Sequence, residues 1–185
     1  RESLGIVTAP TALGSSFTNS LGMKFVKVPG TKVLFCIHET RRQDYAAYAS
    51  DAPGVSDSWK SPTKDGIQVS DQGDHPVTGL LWQDGQGFCD WLGKKEERKY
   101  RLPTDREWTC AVGLEDMEKQ DAGDVPELLN GKVKDEFPWG HGYPPKGKGA
   151  GNYADTAWKA KFPGQPYLEG YTDGYATTAP VMSFK

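Results

Sequence analysis

Two short apolar runs, MKFVKV at 23–28 and KVLFCI at 32–37, flank the turn pair Pro29-Gly30. Their branched and aromatic side chains around a turn predict a β-hairpin. Thr40 followed by Gln43 has the form of a capping box, and Tyr45, Tyr48 and Ala49 then recur at helical spacing, which predicts a helix over 41–50. Residues 51–74 hold many breakers and few periodic apolar positions and read as a long irregular excursion. From about Gln83 a second helical pattern sets Phe88, Trp91 and Leu92 on one face and ends in the charged run Lys94–Arg98. Gly85 and Gly87 inside it each cost about 1 kcal/mol relative to Ala, which implies a displaced boundary or a close backbone approach. The clearest local signal is YRLPTDREW at 100–108. Thr104 as N-cap with Glu107 three residues on predicts a short helix over 105–112, with Gly113 as its left-handed stop.

Outside these elements the pattern fades. Residues 1–20, rich in Ser, Thr, Gly and Ala, read as a linker or a segment laid over the surface, with the domain proper at 21–185. From 113 onward Gly, Pro and aromatic residues follow one another without periodicity, so something other than regular sheet must hold that stretch. The 22 glycines and 13 prolines among 185 residues exceed average usage of about 12% without reaching low-complexity levels. Six Trp, eight Tyr and seven Phe supply core area in place of aliphatic residues. The expected architecture is a single loop-rich α+β domain.

Charge and chemistry narrow the functions. A net charge of −3 offers no electrostatic footprint for nucleic acid, and no apolar run is long enough to span a bilayer. There is no nucleophile elbow, phosphate loop, dinucleotide fingerprint or EF-hand loop, and His38, His75 and His141 stand at spacings that carry no meaning alone. Cys36, Cys89 and Cys110 fit neither a zinc pattern nor a closed disulfide set. Buried silent thiols, one disulfide plus a free thiol, and a catalytic thiol all stay open. A hard-cation site is the better prospect. Asn152 and Asp173 are oxygen donors flanked by Gly151 and Gly174, a setting that suits calcium or, more plainly, two turns. Closing the loop between them costs on the order of 2–3 kcal/mol, an amount one bound cation can offset.

Taken in order, several segments resemble the formylglycine-generating enzyme, or sulfatase-modifying factor, family. They are FCIHET at 35–40, HPVTGLLWQDGQGFCDWL at 75–92, YRLPTDREW at 100–108, FPWG at 137–140, GNYAD at 151–155 and DGYATTAPVMSF at 173–184. The similarity runs from about Asn19 to Lys185 and is strongest to bacterial members that carry this domain fused to other modules. It implies a C-type-lectin-like variant fold, with short helices on small twisted antiparallel sheets, and structural calcium. Carried over residue by residue, it implies a calcium site of the Asn152 side chain, the Tyr153 carbonyl, the Asp173 carboxylate and the Tyr175 carbonyl. Thr104, Glu107, Trp108 and Trp139 become scaffold.

The family's enzymes hold copper(I) between two cysteine thiolates and use oxygen to convert a cysteine of a polypeptide substrate to formylglycine. Cys36, Cys89 and Cys110 do not correspond to that pair, and the sequence reads as a piece of a longer product, incomplete at its C-terminus. Copper and oxidase activity are expected only where the remaining segment is supplied. The alternative is a non-catalytic module that presents aromatic, Gly-rich loops to a protein or carbohydrate ligand.

Overall fold

A computed structural model describes residues 6–8, 16–70, 72–121, 123–145 and 149–184. They form two compact units. One comprises Arg1–Thr40, Asp44–Ser56 and Leu80–Lys134, the other Arg41–Gln43, Asp57–Gly79 and Asp135–Lys185.

The first unit is built on a five-stranded antiparallel sheet. Its strands are β1 (Ile6–Thr8), β2 (Ser16–Thr18), β3 (Lys24–Lys27), β4 (Val33–Cys36) and β7 (Tyr100–Arg101), in the order β2-β3-β4-β1-β7. The hairpin anticipated around Pro29-Gly30 is β3–β4, with Phe25 opposite Cys36 and Lys27 opposite Leu34. Within the segment read as a linker or surface-laid stretch, the described residues include β1, which lies between β4 and β7, and β2, which pairs with β3; residues 1–5 and 9–15 lie outside the described residues. Three-residue strands recruited by a neighbour's free backbone groups need no apolar alternation of their own, so pattern alone passes over them. All four residues of β4 are buried, which means both sheet faces are covered. On one face Val28, Val33 and Phe35 meet Cys110, with Trp108 packed against them, so helix α3 (Asp105–Ala111) seals that side.

Helix α1 (Arg42–Asp51) matches the expected span to within a residue, but its start is organised differently. The amide of Gln43 donates to the Gly73 carbonyl and that of Arg42 to the His75 carbonyl, where a Thr40–Gln43 box was expected. Helix α2 (Trp82–Glu96) packs against α1 through Tyr45, Tyr48, Phe88 and Trp91, whose ring centroids lie 5.3–6.0 Å apart. Gly87 is required by that contact, since a Cβ there would sit 2.6 Å from the Tyr48 hydroxyl. The same holds at Gly93, where a Cβ would meet the Arg98 carbonyl oxygen at 2.8 Å. At α3 the capping box forms as read. The Glu107 amide donates to Thr104 Oγ1 and the Thr104 amide to Glu107 Oε2, while Arg101 grips both Glu107 oxygens at 2.6 and 2.8 Å. Gly113 follows at φ +74°. Two further turns, α4 (Glu115–Glu118) and a 3-10 segment (Pro126–Leu129), are too short to show periodicity.

The second unit has two small hairpins, β5–β6 (Thr63–Lys64, Ile67–Gln68) and β8–β9 (Glu136–Phe137, Gly140–His141), and one helix, α5 (Thr156–Lys161). The irregular excursion at 51–74 thus contains β5–β6. Its buried Trp59 is held by Arg42, which donates to the Trp59 and Lys60 carbonyls and lies 5.4 Å from the indole ring centroid. The TAPV segment docks onto residues 69–75. Thr178 donates its hydroxyl proton to the Val69 carbonyl and must therefore accept from His75 Nδ1, 2.8 Å away. No helix among the described residues is long and apolar enough to cross a membrane.

Two outcomes test this packing. Gly93→Ala gains about 1 kcal/mol of helix propensity but overfills its turn at a cost of about 1–3 kcal/mol. Its denaturation midpoint should fall, and an unchanged or raised midpoint would show that the turn yields. Burial acts to raise the Glu107 carboxyl, yet Arg101 and the Thr104 groups outweigh it and hold it below the usual range. The stability this lends is complete above the unfolded value near ~4.3 and is lost as pH falls through the lower folded value. Wild type should therefore lose more stability than Glu107→Gln on acidification from neutral pH, the two curves converging at low pH. Parallel curves would reject the linkage.

Candidate metal centre

Residues 149–155 and 171–177 meet in the second unit, and the sequence accounts for each clasp between them. Tyr171, 1% exposed, puts its hydroxyl on both polar groups of Gly151, donating to the carbonyl at 2.7 Å and accepting from the amide at 3.2 Å. Gly151 has φ +150°, and a Cβ there would lie 2.7 Å from the Tyr153 ring, so glycine is needed. Asn152 donates its Nδ2 to the Thr177 carbonyl at 2.6 Å. That bond fixes the amide orientation and leaves Oδ1 as the headgroup's other polar atom. Asp173 accepts the Tyr153 amide on Oδ2 and the Tyr175 amide on Oδ1, both at 2.8 Å. The chain therefore brings the Asn152–Tyr153 and Asp173–Tyr175 segments together, with Asn152 exposed and Asp173 half-buried.

Beneath them lies a residue that the sequence reading passed over. Asp155 is 0% exposed and accepts five hydrogen bonds. Oδ1 takes the Ala157 and Trp158 amides at 2.8 and 2.9 Å. Oδ2 takes the Thr172 hydroxyl at 3.0 Å and the Asp173 and Gly174 amides at 2.8 and 3.4 Å. One carboxylate thus caps α5 and holds the far side of the loop, 18 residues away at Asp173. The signal was present: Asp155 directly precedes a helical turn in which Trp158 and Phe162, four apart, set their rings 4.3 Å from each other.

The electrostatics of the two acids diverge. Burial raises Asp155, but the Trp158, Asp173, Thr172 and Gly174 bonds outweigh it and keep the carboxyl ionised below its usual range. For Asp173 burial also raises the carboxyl. The Tyr153 and Tyr175 amides oppose it, the Asp155 charge adds to it, and the net direction is upward. Among the described residues neither acid has a Lys, Arg or His partner at salt-bridge distance. An acid held half-buried beside a second, buried carboxylate, with no countercharge among the described residues, is a setting that a hard cation relieves. Asp173 retains lone pairs on both oxygens, and Asn152 offers an amide oxygen, so the donors fit calcium chemistry.

Other candidate groups do not converge. His38 Nδ1 is 2.7 Å from the Glu39 carbonyl, and His141 Nδ1 is 3.0 Å from that of Asp135. Among the described residues, no three His, Cys, Asp or Glu side chains cluster as a metal-binding group. Trp139 stacks on Phe137 at 4.8 Å and 2°, and its edge contact with Tyr153 joins the hairpin aromatics to the loop clasp.

Residues 17–185 match the family described as the Sulfatase-modifying factor enzyme 1-like domain. The formylglycine-generating enzyme of Thermomonospora curvata is 31% identical over 126 residues, 68% of this chain and 32% of that protein. Its Mus musculus counterpart is 30% identical over 185 residues, covering 99% and 39%. A Bos taurus protein named inactive C-alpha-formylglycine-generating enzyme 2 is 29% identical over 126 residues, covering 68% and 31%. The chain spans 31–39% of the length of these curated relatives. No solved structure matches it. Mixed helices and small antiparallel sheets, with this match across nearly the whole chain, mean that the chain belongs to the formylglycine-generating enzyme, or sulfatase-modifying factor, family.

Proposed function

We propose that this chain is a calcium-stabilised, C-type-lectin-like domain of sulfatase-modifying-factor type, part of a protein that oxidises a cysteine in a polypeptide substrate to formylglycine. The observation that carries the calcium part is the Asp173 carboxylate, set beside Asn152 and above Asp155, with no cationic side chain at salt-bridge distance among the described residues. Asn152 and Asp173 would supply side-chain oxygens and Tyr153 and Tyr175 backbone carbonyls, an all-oxygen set that suits calcium over softer ions.

Copper is a different matter, because the thiols present do not fit a two-thiolate clamp. Cys36, Cys89 and Cys110 are buried and outside any disulfide, on β4, α2 and α3 respectively. Burial and the neighbouring Asp90 charge push the Cys89 thiol up to about 12, the reverse of what a thiolate ligand needs. Cys110 packs as a small hydrophobe among Val28, Val33 and Phe35. No oxidation step runs through these three residues.

A second reading has one observation in its favour. Tyr143, 64% exposed, stands beside the stacked Phe137–Trp139 pair at 5.9 and 6.5 Å, an aromatic surface of the kind a binding module presents to a protein or carbohydrate. The two readings separate on catalysis. The whole protein should form an aldehyde on a cysteine-containing peptide in an oxygen-dependent manner, and should keep that activity when Cys36, Cys89 or Cys110 is replaced by Ala. Absence of aldehyde from the whole protein would favour the binding reading, and loss of activity in a folded Cys→Ala variant would overturn the exclusion of these thiols.

The calcium claim is checked by thermal melts in calcium and in chelator. At a calcium concentration 100 times Kd the stabilisation is about 2.7 kcal/mol, a shift of roughly 5–10 °C for a chain of this size. Magnesium at the same concentration should give little shift. Coincident melts in calcium and chelator would remove calcium from the reading.

A further inference from the structure

Resting on the calcium reading of the same loops, we infer that Asp155 is a positioning residue for the cation: its buried carboxylate aims the Asp173 ligand from below and keeps the site shaped before any ion arrives. The geometry separates the two acids by task. Asp173 sits half-buried, with each oxygen held by one amide and open to a further partner. Asp155 is wholly buried, and its two oxygens are saturated by five donors from within the chain, so it has no capacity left for a ligand. It acts on Asp173 through the backbone, by gripping the amides of Asp173 and Gly174 and the hydroxyl of Thr172. These three bonds fix the turn at Gly174, φ +90°, that carries Asp173 and Tyr175 to Tyr153.

Its placement makes this more than a structural cap. Asp155 directly follows the Asn152–Tyr153–Ala154 strip, and its Oδ2 holds the amides of Asp173 and Gly174, so both ligand-bearing segments are fixed from one side chain. The clasp thus prepares the ligand positions. A carboxylate engaged at five points cannot be replaced by an amide without turning an N–H₂ group toward backbone N–H donors.

Calcium binding by the whole domain is measured by calorimetric titration with the metal alone, alongside melting temperatures in chelator. Asp155→Asn should weaken calcium binding at least tenfold. Thr172→Val keeps the charge and removes one of the three bonds to Oδ2, and should weaken it about two- to fivefold with little change in the chelator melt. It serves as the deciding variant if Asp155→Asn does not fold. A purely structural residue would leave the calcium Kd at the wild-type value whatever it did to the chelator melt, and that result in every variant that folds overturns the inference. If wild type itself takes up no calcium, the calcium reading fails first and the positioning role falls with it. The two failures are distinguished by which protein shows them.

Discussion

A single buried negative charge holds the irregular half of this molecule in place. An ionised carboxylate removed from water carries a large desolvation penalty unless hydrogen bonds replace its hydration shell. Asp155 meets that condition with protein donors alone: two amides of its own helix and three groups from a strip 17–19 residues further on. The dependence runs both ways. The carboxylate stays charged because the donors converge, and the donors converge because the chain would otherwise bury an unpaired charge. No sheet is required to bring residues 149–155 against 171–177, and none spans them.

Around that clasp, aromatic rings take the place of regular elements. Phe137, Trp139, Tyr153 and Tyr171 form a continuous path of ring contacts from the exposed hairpin to a side chain 1% exposed. Large rings on a glycine-rich backbone bury area without periodic sequence, provided the backbone can approach them closely. Gly151 under the Tyr153 ring is that provision. The first unit uses the same principle inside a regular element, where Gly87 admits Tyr48 to the face of α2. In both places the glycine that weakens local propensity is what permits the tertiary contact.

This explains which parts of the fold the sequence discloses. The hairpin of β3 and β4, the helix after Tyr45 and the Thr104–Glu107 cap are legible because each is specified within about ten residues, by alternation, by helical spacing or by a reciprocal cap. Strands β1 and β2 are not, since their pairing is decided by partners at Phe35, Arg101 and Val26 rather than by their own pattern. The start of α1 is misread for the same reason: Thr40 and Gln43 have the right letters, but the carbonyls of Gly73 and His75 reach the first amides. At the candidate site, Asn152, Tyr153, Asp173 and Tyr175 come from a family resemblance, and the structure brings their two segments together. Asp155, which does the joining, closes the GNYAD segment but is assigned no role in it. A capping aspartate looks ordinary until its second oxygen is seen to serve a distant strip.

That division alters the energetic role a calcium ion can have here. From sequence, the ion appears as the element that closes a loop of about twenty residues, at a cost of roughly 2–3 kcal/mol. The structure assigns closure to hydrogen bonds between protein groups, so a cation entering between Asn152 and Asp173 meets a loop already shut. Binding free energy is then not consumed in ordering the chain and goes to affinity and selectivity, as with any preorganised receptor. Hard and soft chemistry are separated as well. Oxygen donors gather in the second unit, while Cys36, Cys89 and Cys110 are buried in the first. A thiolate must be stabilised and accessible to hold copper(I); all three thiols are buried, and burial raises that of Cys89. In the calcium reading the oxygens around Asp173 would hold the ion, a hard-donor role distinct from electron exchange.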